Sequence, residues 1–335
     1  MTRNIIKRQH NVFFLCYNNI IVGENMNFID NIKEIIKSNP KKTIILTEGE
    51  DLRVIEAIEK VLDYCNIIVI GKLIKDIPGV KVIDPSEYID SFSKELYELR
   101  KHKGITLEDA KELLINNNMY FACMLLLNNI GDGIVSGASH PSMDTIRPAL
   151  ELIRAKNKLV SSFFLMDVNN KLYLFSDPAL NINPNSEELA WIGIESSYTY
   201  KKLTNKDSIT AFLSYSSLGS GKGESVDKVK EAVNIARNID PSLILDGELQ
   251  VDAAINKTVS SIKAPNSRVN GEANVLIFPD INSGNIGYKL VKEFANAKCY
   301  GPILQGLNKP VNDLSRGSNS DEIAGVILIT CLQAL

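Results

Sequence analysis

The sequence predicts an α/β protein built on parallel sheet, and three observations lead there. Short β-branched runs such as T-I-I-L-T (43–47) and N-I-I-V-I (66–70) alternate with stretches of helical spacing. Strand, loop, helix, strand in that rhythm marks parallel strands joined by crossover helices. Loops following the strands, E-G-E-D and S-G-A-S among them, hold small and acidic residues where such sheets bind ligands. With 335 residues, 44% of them hydrophobic, the chain has material for two domains.

Residues 1–25 stand apart. Arg3, Lys7 and Arg8 precede N-V-F-F-L-C-Y-N-N-I-I-V, an imitation of a secretory leader. Asn18 and Asn19 interrupt its apolar part, no small-x-small site follows, and it is too short and polar to span a bilayer. It is read as an extension of unknown status before the amphipathic N-F-I-D-N-I-K-E-I-I-K.

The first strand, Thr43–Thr47, runs into E-G-E-D and a helix over Leu52–Leu62, and the second, Asn66–Ile70, closes at Gly71. Arg53 reads equally well as a solvated helix residue. A helix ending near Lys103-Gly104 has a basic last turn that suits its own dipole, which by itself explains Arg100, Lys101 and Lys103. A strand at Gly133–Val135 enters Ser136-Gly137-Ala138 and then a helix opened by Ser142, leaving open backbone at a strand end that faces a helix N-terminus.

Beyond Leu159 come two strands around an Asn169-Asn170 turn and a helix capped by Ser186. A strand at Ile209–Tyr215 leads to S-S-L-G-S-G-K-G-E-S and a helix from Val226. That loop is not a phosphate-binding P-loop, because Ser216 replaces the first glycine and Gly223 follows the lysine; an anion nest and a mobile turn both fit it. Strands at Leu243–Asp246 and Val275–Phe278 follow, the second opening a helix capped by Asn282, Ser283 and Asn285.

Charge and thiols bound the function. A net charge of −3 without a long basic run argues against nucleic acid as the main partner. Five scattered cysteines, no CxxC and three isolated histidines point to reduced thiols in a cytoplasmic protein without structural zinc.

The densest chemistry lies in Y-G-P-I-L-Q-G-L-N-K-P-V-N-D-L-S-R-G-S-N-S-D-E-I (300–323), just before an apolar helical series. Asn319 or Ser320 is a good N-cap with acids in the first turn. Ser315, Arg316 and a carboxylate thus gather at a helix N-terminus, where amides and dipole favour an anion and the guanidinium fork suits phosphate. The same residues also fit an ordinary turn followed by a capping box from Asn319 to Glu322.

The segment G-P-I-L-Q-G-L-N-K-P-V-N-D-L-S-R-G resembles the C-terminal signature of the phosphate acetyltransferases (phosphotransacetylases), and the likeness runs from about Lys42 to the end of the chain. The resemblance implies two three-layer α/β domains with mostly parallel sheets and an interdomain cleft, of the isocitrate/isopropylmalate dehydrogenase kind. Domain I would take 26–157 plus 308–335, and domain II 158–307. It implies reversible acetyl transfer between acetyl phosphate and coenzyme A in a ternary complex. Coenzyme A would be a substrate, no other cofactor or metal would be needed, and the protein would be a homodimer. Arg316 would grip the phosphoryl group and Ser315 stabilise the oxyanion. Glu322 would take the thiol proton at the family's aspartate position. From L-R-K-x-K-G-x-T and D-T-x-R the resemblance carries Arg100 and Arg147 into substrate binding. Ser136 and Ser142 come with the S-G-A-S-H-P-S segment, and Asn285 and Tyr288 with S-G-N-x-x-Y-K.

The chain departs from the family pattern at several positions. Pro141-Ser142 stands where Ser-Thr is usual, which removes a donor and a hydroxyl. Lys292-Glu293 stands where an arginine is frequent, Ser318 replaces a common cysteine, and Glu322 is one methylene longer than aspartate. With no cysteine in the signature, direct attack is favoured over an acyl-cysteine route. A phosphate butyryltransferase, a metal- and NAD-dependent decarboxylating dehydrogenase and a decayed non-catalytic homologue are the alternatives.

Overall fold

Residues 27–155 and 158–335 are described by the computed structural model; the reading of 1–25 as an extension lies outside them. In chain order the elements are α1 (Phe28–Lys37), β1 (Thr43–Leu46), α2 (Leu52–Val61), β2 (Asn66–Ile70), β3 (Val80–Ile83), α3 (Ile89–Arg100), α4 (Leu107–Asn116), α5 (Asn118–Leu127), β4 (Gly133–Ser136) and α6 (Ser142–Leu152). They continue with β5 (Ser161–Val168), β6 (Lys171–Ser176), α7 (Ser186–Thr204), β7 (Ile209–Leu213), α8 (Glu224–Ile239), β8 (Ile244–Leu249), α9 (Val251–Ile255), α10 (Lys257–Lys263), β9 (Val275–Ile277), α11 (Ile281–Ala295), β10 (Lys298–Gln305), β11 (Val311–Asp313) and α12 (Ser320–Gln333).

The strands form one mostly parallel sheet in the order β3-β2-β1-β4-β11-β10-β5-β6-β9-β7-β8. Its β3-to-β11 half is parallel throughout, and so is its β6-β9-β7-β8 half. Between them β11-β10, β10-β5 and β5-β6 are antiparallel. The parallel strands are near-continuous apolar runs because helices cover both faces. β11 and β10 meet through a single registered pair, Ile303 with Asn312.

Helix α12 is buried on every side from Glu322 to Leu332, as befits a helix apolar all round rather than striped. It packs against α1, α2 and β10. A side chain at Gly325 would meet the Tyr300 ring at 2.4 Å, so glycine is what lets this helix lie against β10.

Several local readings are corrected. The α7 cap is Asn185, in a capping box with Glu188, not Ser186. Asp280 caps α11, and the predicted caps Asn282, Ser283 and Asn285 lie inside the helix. In both cases an Asx residue reached the boundary first. Ser142 does open α6, as its sequence suggests, with Pro141 in the cap position before it making no side-chain bond. Strand β1 stops before Thr47, β7 stops at Leu213 and β8 runs on to Leu249, shifts at termini where pairing partners rather than propensity decide.

Candidate active site

β1, β4 and β11 are adjacent and parallel, with Leu46 level with Val135 and Asp313 level with Ser136. The loops at their carboxyl ends therefore meet at one place. Arg53, on the first turn of α2, ties them together. Its Nη1 donates to the carbonyls of Arg316 at 2.8 Å and Ser318 at 3.0 Å, and its Nη2 donates to Ala138 O at 2.7 Å. Nε and Nη2 also grip Asp51 at 3.1 and 2.6 Å. The guanidinium beside Asp51 lowers that carboxyl's proton affinity, and Asp51 in turn raises that of Arg53. Arg53 is thus a clamp on the signature backbone, and of the two roles open to it on sequence, site loop or solvated helix residue, the structure favours the first. The one sequence signal for it was its place just after E-G-E-D at a strand's carboxyl end.

The open backbone expected after β4 is closed by the chain itself. Glu48 Oε2 accepts from the amides of Gly137 and Ala138 at 2.9 and 2.8 Å. Oε1 accepts from the Ser139 amide and hydroxyl at 2.8 and 2.9 Å and lies 2.7 Å from His140 Nδ1. Ser136 is buried and shares a 2.6 Å hydroxyl contact with Thr47. A protein carboxylate, rather than a ligand, fills this nest. The G-S-G-K-G loop repeats the pattern: Glu248 Oε1 accepts from Ser216 Oγ at 2.8 Å and from Gly219 N at 2.7 Å.

In the signature, Ser315 is half-buried and Arg316 exposed. The Ser315 hydroxyl accepts loosely from Gly317 N at 3.4 Å. Among the described residues no acid pairs with the Arg316 guanidinium, although its backbone is held by Arg53. Asn319 caps α12 by accepting from Glu322 N at 2.9 Å, while Glu322 Oε2 accepts from Asn319 N at 3.1 Å. The other Glu322 oxygen pairs with Lys292 Nζ of α11 at 2.7 Å. The anion site and the capping box, alternatives on sequence, are both compatible with this loop: the box uses Asn319 and Glu322 and leaves Ser315 and Arg316 in front of it.

The remaining predicted residues form two further groups. Arg100 and Arg147 both reach Glu151, at 3.0 and 3.2 Å, and Tyr120 OH donates to the same carboxylate at 2.7 Å. Burial first, then this hydrogen bond, raises the Tyr120 phenol's pKa. Arg147 is 70% exposed and Arg100 19%, so Arg147 is the arm free to reach outward. On α11, Asn285 Nδ2 donates to Pro178 O at 3.1 Å, and Tyr288 stacks on Phe164 with centroids 4.1 Å apart. Burial pushes the Tyr288 phenol up to about 12. Lys292, one turn further on, joins this group to Glu322. Among the described residues no group of three or more His, Cys, Asp or Glu is placed to hold a metal ion.

A mostly parallel α/β sheet whose strand-end loops place an exposed guanidinium and a hydroxyl before a helix N-terminus is an arrangement able to receive a small anion. The profile of the Phosphate acetyl/butaryl transferase family matches residues 27–331, and the chain belongs to that family. It is 46% identical over 329 residues to the phosphate acetyltransferase of Thermoanaerobacterium thermosaccharolyticum, covering 92% of this chain and 100% of that one. The Clostridium acetobutylicum phosphate acetyltransferase is 45% identical, over 92% and 99% of the two chains. Among solved structures, a phosphotransacetylase from Streptococcus pyogenes superposes with a TM-score of 0.83 at 41% identity, over 92% of this chain and 98% of that one. A branched-chain phosphotransacylase from Enterococcus faecalis shares the fold, with a TM-score of 0.67 at 17% identity over 88% and 99% of the two chains.

Proposed function

We propose that this chain reversibly transfers an acetyl group between acetyl phosphate and coenzyme A, without a further cofactor or metal. The observation that carries the reading is the Arg316 guanidinium, held by its backbone to Arg53, unpaired by any described acid, and set with Ser315 in front of α12. In the forward direction the coenzyme A thiol loses its proton and its sulfur attacks the acetyl carbonyl carbon. The carbon–oxygen bond to phosphate then breaks, and phosphate leaves with the bonding pair, its charge met by Arg316. Ser315 and loop amides stabilise the tetrahedral oxyanion. Glu322 receives the thiol proton by exchanging its capping bond to Asn319, while Lys292 keeps the carboxylate in place. A thiol of pKa about 8.5 needs only such a modest base. Glu322→Gln should lower kcat by about 10²-fold or more with little change in KM, general-base loss being of that size; full turnover by the variant would remove Glu322 from the role. Initial rates with acetyl and butyryl phosphate test the acyl group: a preference for butyryl phosphate contradicts the acetyl assignment.

We also place the division into two domains at the single-pair junction of β10 and β11, with 26–157 plus 308–335 on one side and 158–307 on the other. Arg100, Arg147 and Ser142 then face substrate from the first domain and Asn285 from the second, while the buried Ser136 and Tyr288 support the walls from behind. Homodimerisation is assigned to α11, where Ile286, Leu290 and Phe294 are 57%, 48% and 86% exposed at four-residue spacing. Phe294→Asp should convert a dimer to a monomer in sedimentation; an unchanged dimer would move the interface elsewhere. A cytoplasmic setting fits Cys65, Cys123, Cys299 and Cys331, which are buried and unpaired.

A further inference from the structure

Asp313 is the last residue of β11, two positions before Ser315, and it is wholly buried. Among the described residues neither carboxylate oxygen has a partner in full hydrogen-bonding geometry, and nor has the buried Thr145 hydroxyl of α6, although the Ser142 and Thr145 hydroxyls and the Leu314 amide lie close enough to the carboxyl to favour its charged form in part. Other inward-facing carboxylates at these strand ends are satisfied: Glu48 by the amides of 137–139, Asp177 by those of 179–181, and Glu248 by Gly219. Asp313 breaks that pattern beside the signature loop. It also fills the space that a side chain on Gly137 would need. A Cβ there would lie 2.1 Å from Asp313 Oδ1 and 2.9 Å from Leu314 N, and Gly137 has φ +106°, so the β4 loop is moulded around this carboxyl group.

An ionised carboxylate buried without a cation or a set of donors is very costly, and such groups take up a proton instead. We propose that Asp313 is a positioning residue that acts as an uncharged acid, packing the β4 loop against the Ser315–Arg316 loop and losing that grip when it ionises. The inference rests on Ser315 and Arg316 being the substrate-facing pair. Gly137 of the β4 loop, Ser142 and Thr145 of α6 and the amide of Leu314 surround the group, and Glu48 on the β1 loop is the charged side chain whose field reaches it. Burial, reinforced by Glu48 and only partly offset by the nearby hydroxyls and amide, pushes the Asp313 carboxyl up to about 7. The sign follows from proton binding. Between the unfolded carboxylate range and about 7 the folded state holds the extra proton, so Asp313 lowers stability progressively as pH rises through that window. Above it the loss is complete and constant.

The test is the ratio of kcat for Asp313→Asn to that of the parent full-length chain, a ratio in which the titration of the thiol cancels. It should lie within about threefold of one at about pH 6 and rise about tenfold or more by about pH 8.5, as the parent's carboxyl ionises and the amide cannot. A ratio that does not change with pH overturns the proposal, and so does an about 100-fold loss at every pH, which would mark the ionised carboxylate as the working form. Should the variant not fold, carbon-13 labelling of aspartate carboxyls in the parent decides. One carboxyl titrating near 7 supports the proposal, and none titrating above the ordinary range contradicts it. Arg316→Gln assayed alongside separates the two claims. Unchanged kinetics there removes the site reading, whereas a collapse there with a pH-independent Asp313→Asn ratio removes the positioning role alone.

Discussion

Arg316→Gln should lower kcat/KM for acetyl phosphate by about 10²- to 10³-fold, the range seen when one preorganised charge-stabilising donor is lost. The guanidinium is exposed and no described acid competes for it, so its removal takes away phosphate contacts without orphaning a buried partner. Folding stability should therefore move by less than about 0.5 kcal/mol, as for other surface changes. Arg316→Lys should recover part of the rate, because a point charge replaces a planar fork. Steady-state kinetics together with thermal unfolding check both halves of the expectation. A variant that is equally active, or one that is inactive only because it is unfolded, would contradict the assigned role.

Glu48→Ala is expected to have the largest effect on stability. It would leave the buried amides of Gly137 and Ala138, and the more exposed amide of Ser139, without their acceptor. Each unsatisfied buried donor costs about 1–3 kcal/mol, so with two of them a loss of about 2 kcal/mol or more is expected. Glu48→Gln should rescue only part of this, since its amide nitrogen turns a donor toward donors. The loss is expected to reach catalysis as well. Ala138 O is one of the carbonyls that hold Arg53, and Arg53 in turn holds the backbone of Arg316 and Ser318. Urea unfolding of the three proteins measures the first effect. A change under about 1 kcal/mol for Glu48→Ala would show that the nest contributes little net stability.

Sequence periodicity was a good guide wherever one residue's surroundings are set by its near neighbours. The β-branched runs at 43–46 and 66–70 are strands, and the apolar series after Asn319 is a helix opened by the capping box that its spacing suggested. Anion-friendly loops were also legible, in the glycines and serines of 136–139 and 216–221. What could not be read was that Glu48 and Glu248 would occupy them, because Glu48 arrives from the β1 loop 90 positions from Ala138 and Glu248 from β8, 29 positions from Gly219. The role of Arg53 stayed open on sequence for the same reason: its partners at 138, 316 and 318 lie 85 to 265 positions away, and only the sheet order brings them together. Asp313 looked like one letter of a signature. Its isolation became visible only once Gly137 and α6 were packed against it. Long-range pairing, not local propensity, separates the legible part of the site from the rest.

Mixing the purified full-length chain with acetyl phosphate and coenzyme A, and following thioester absorbance against released phosphate, tests the central claim most directly. Thioester and phosphate should appear in equal amounts, with no NAD or divalent metal added, and Arg316→Gln should suppress both. Folded protein that yields no thioester, or that releases phosphate as free acetate accumulates, would contradict it.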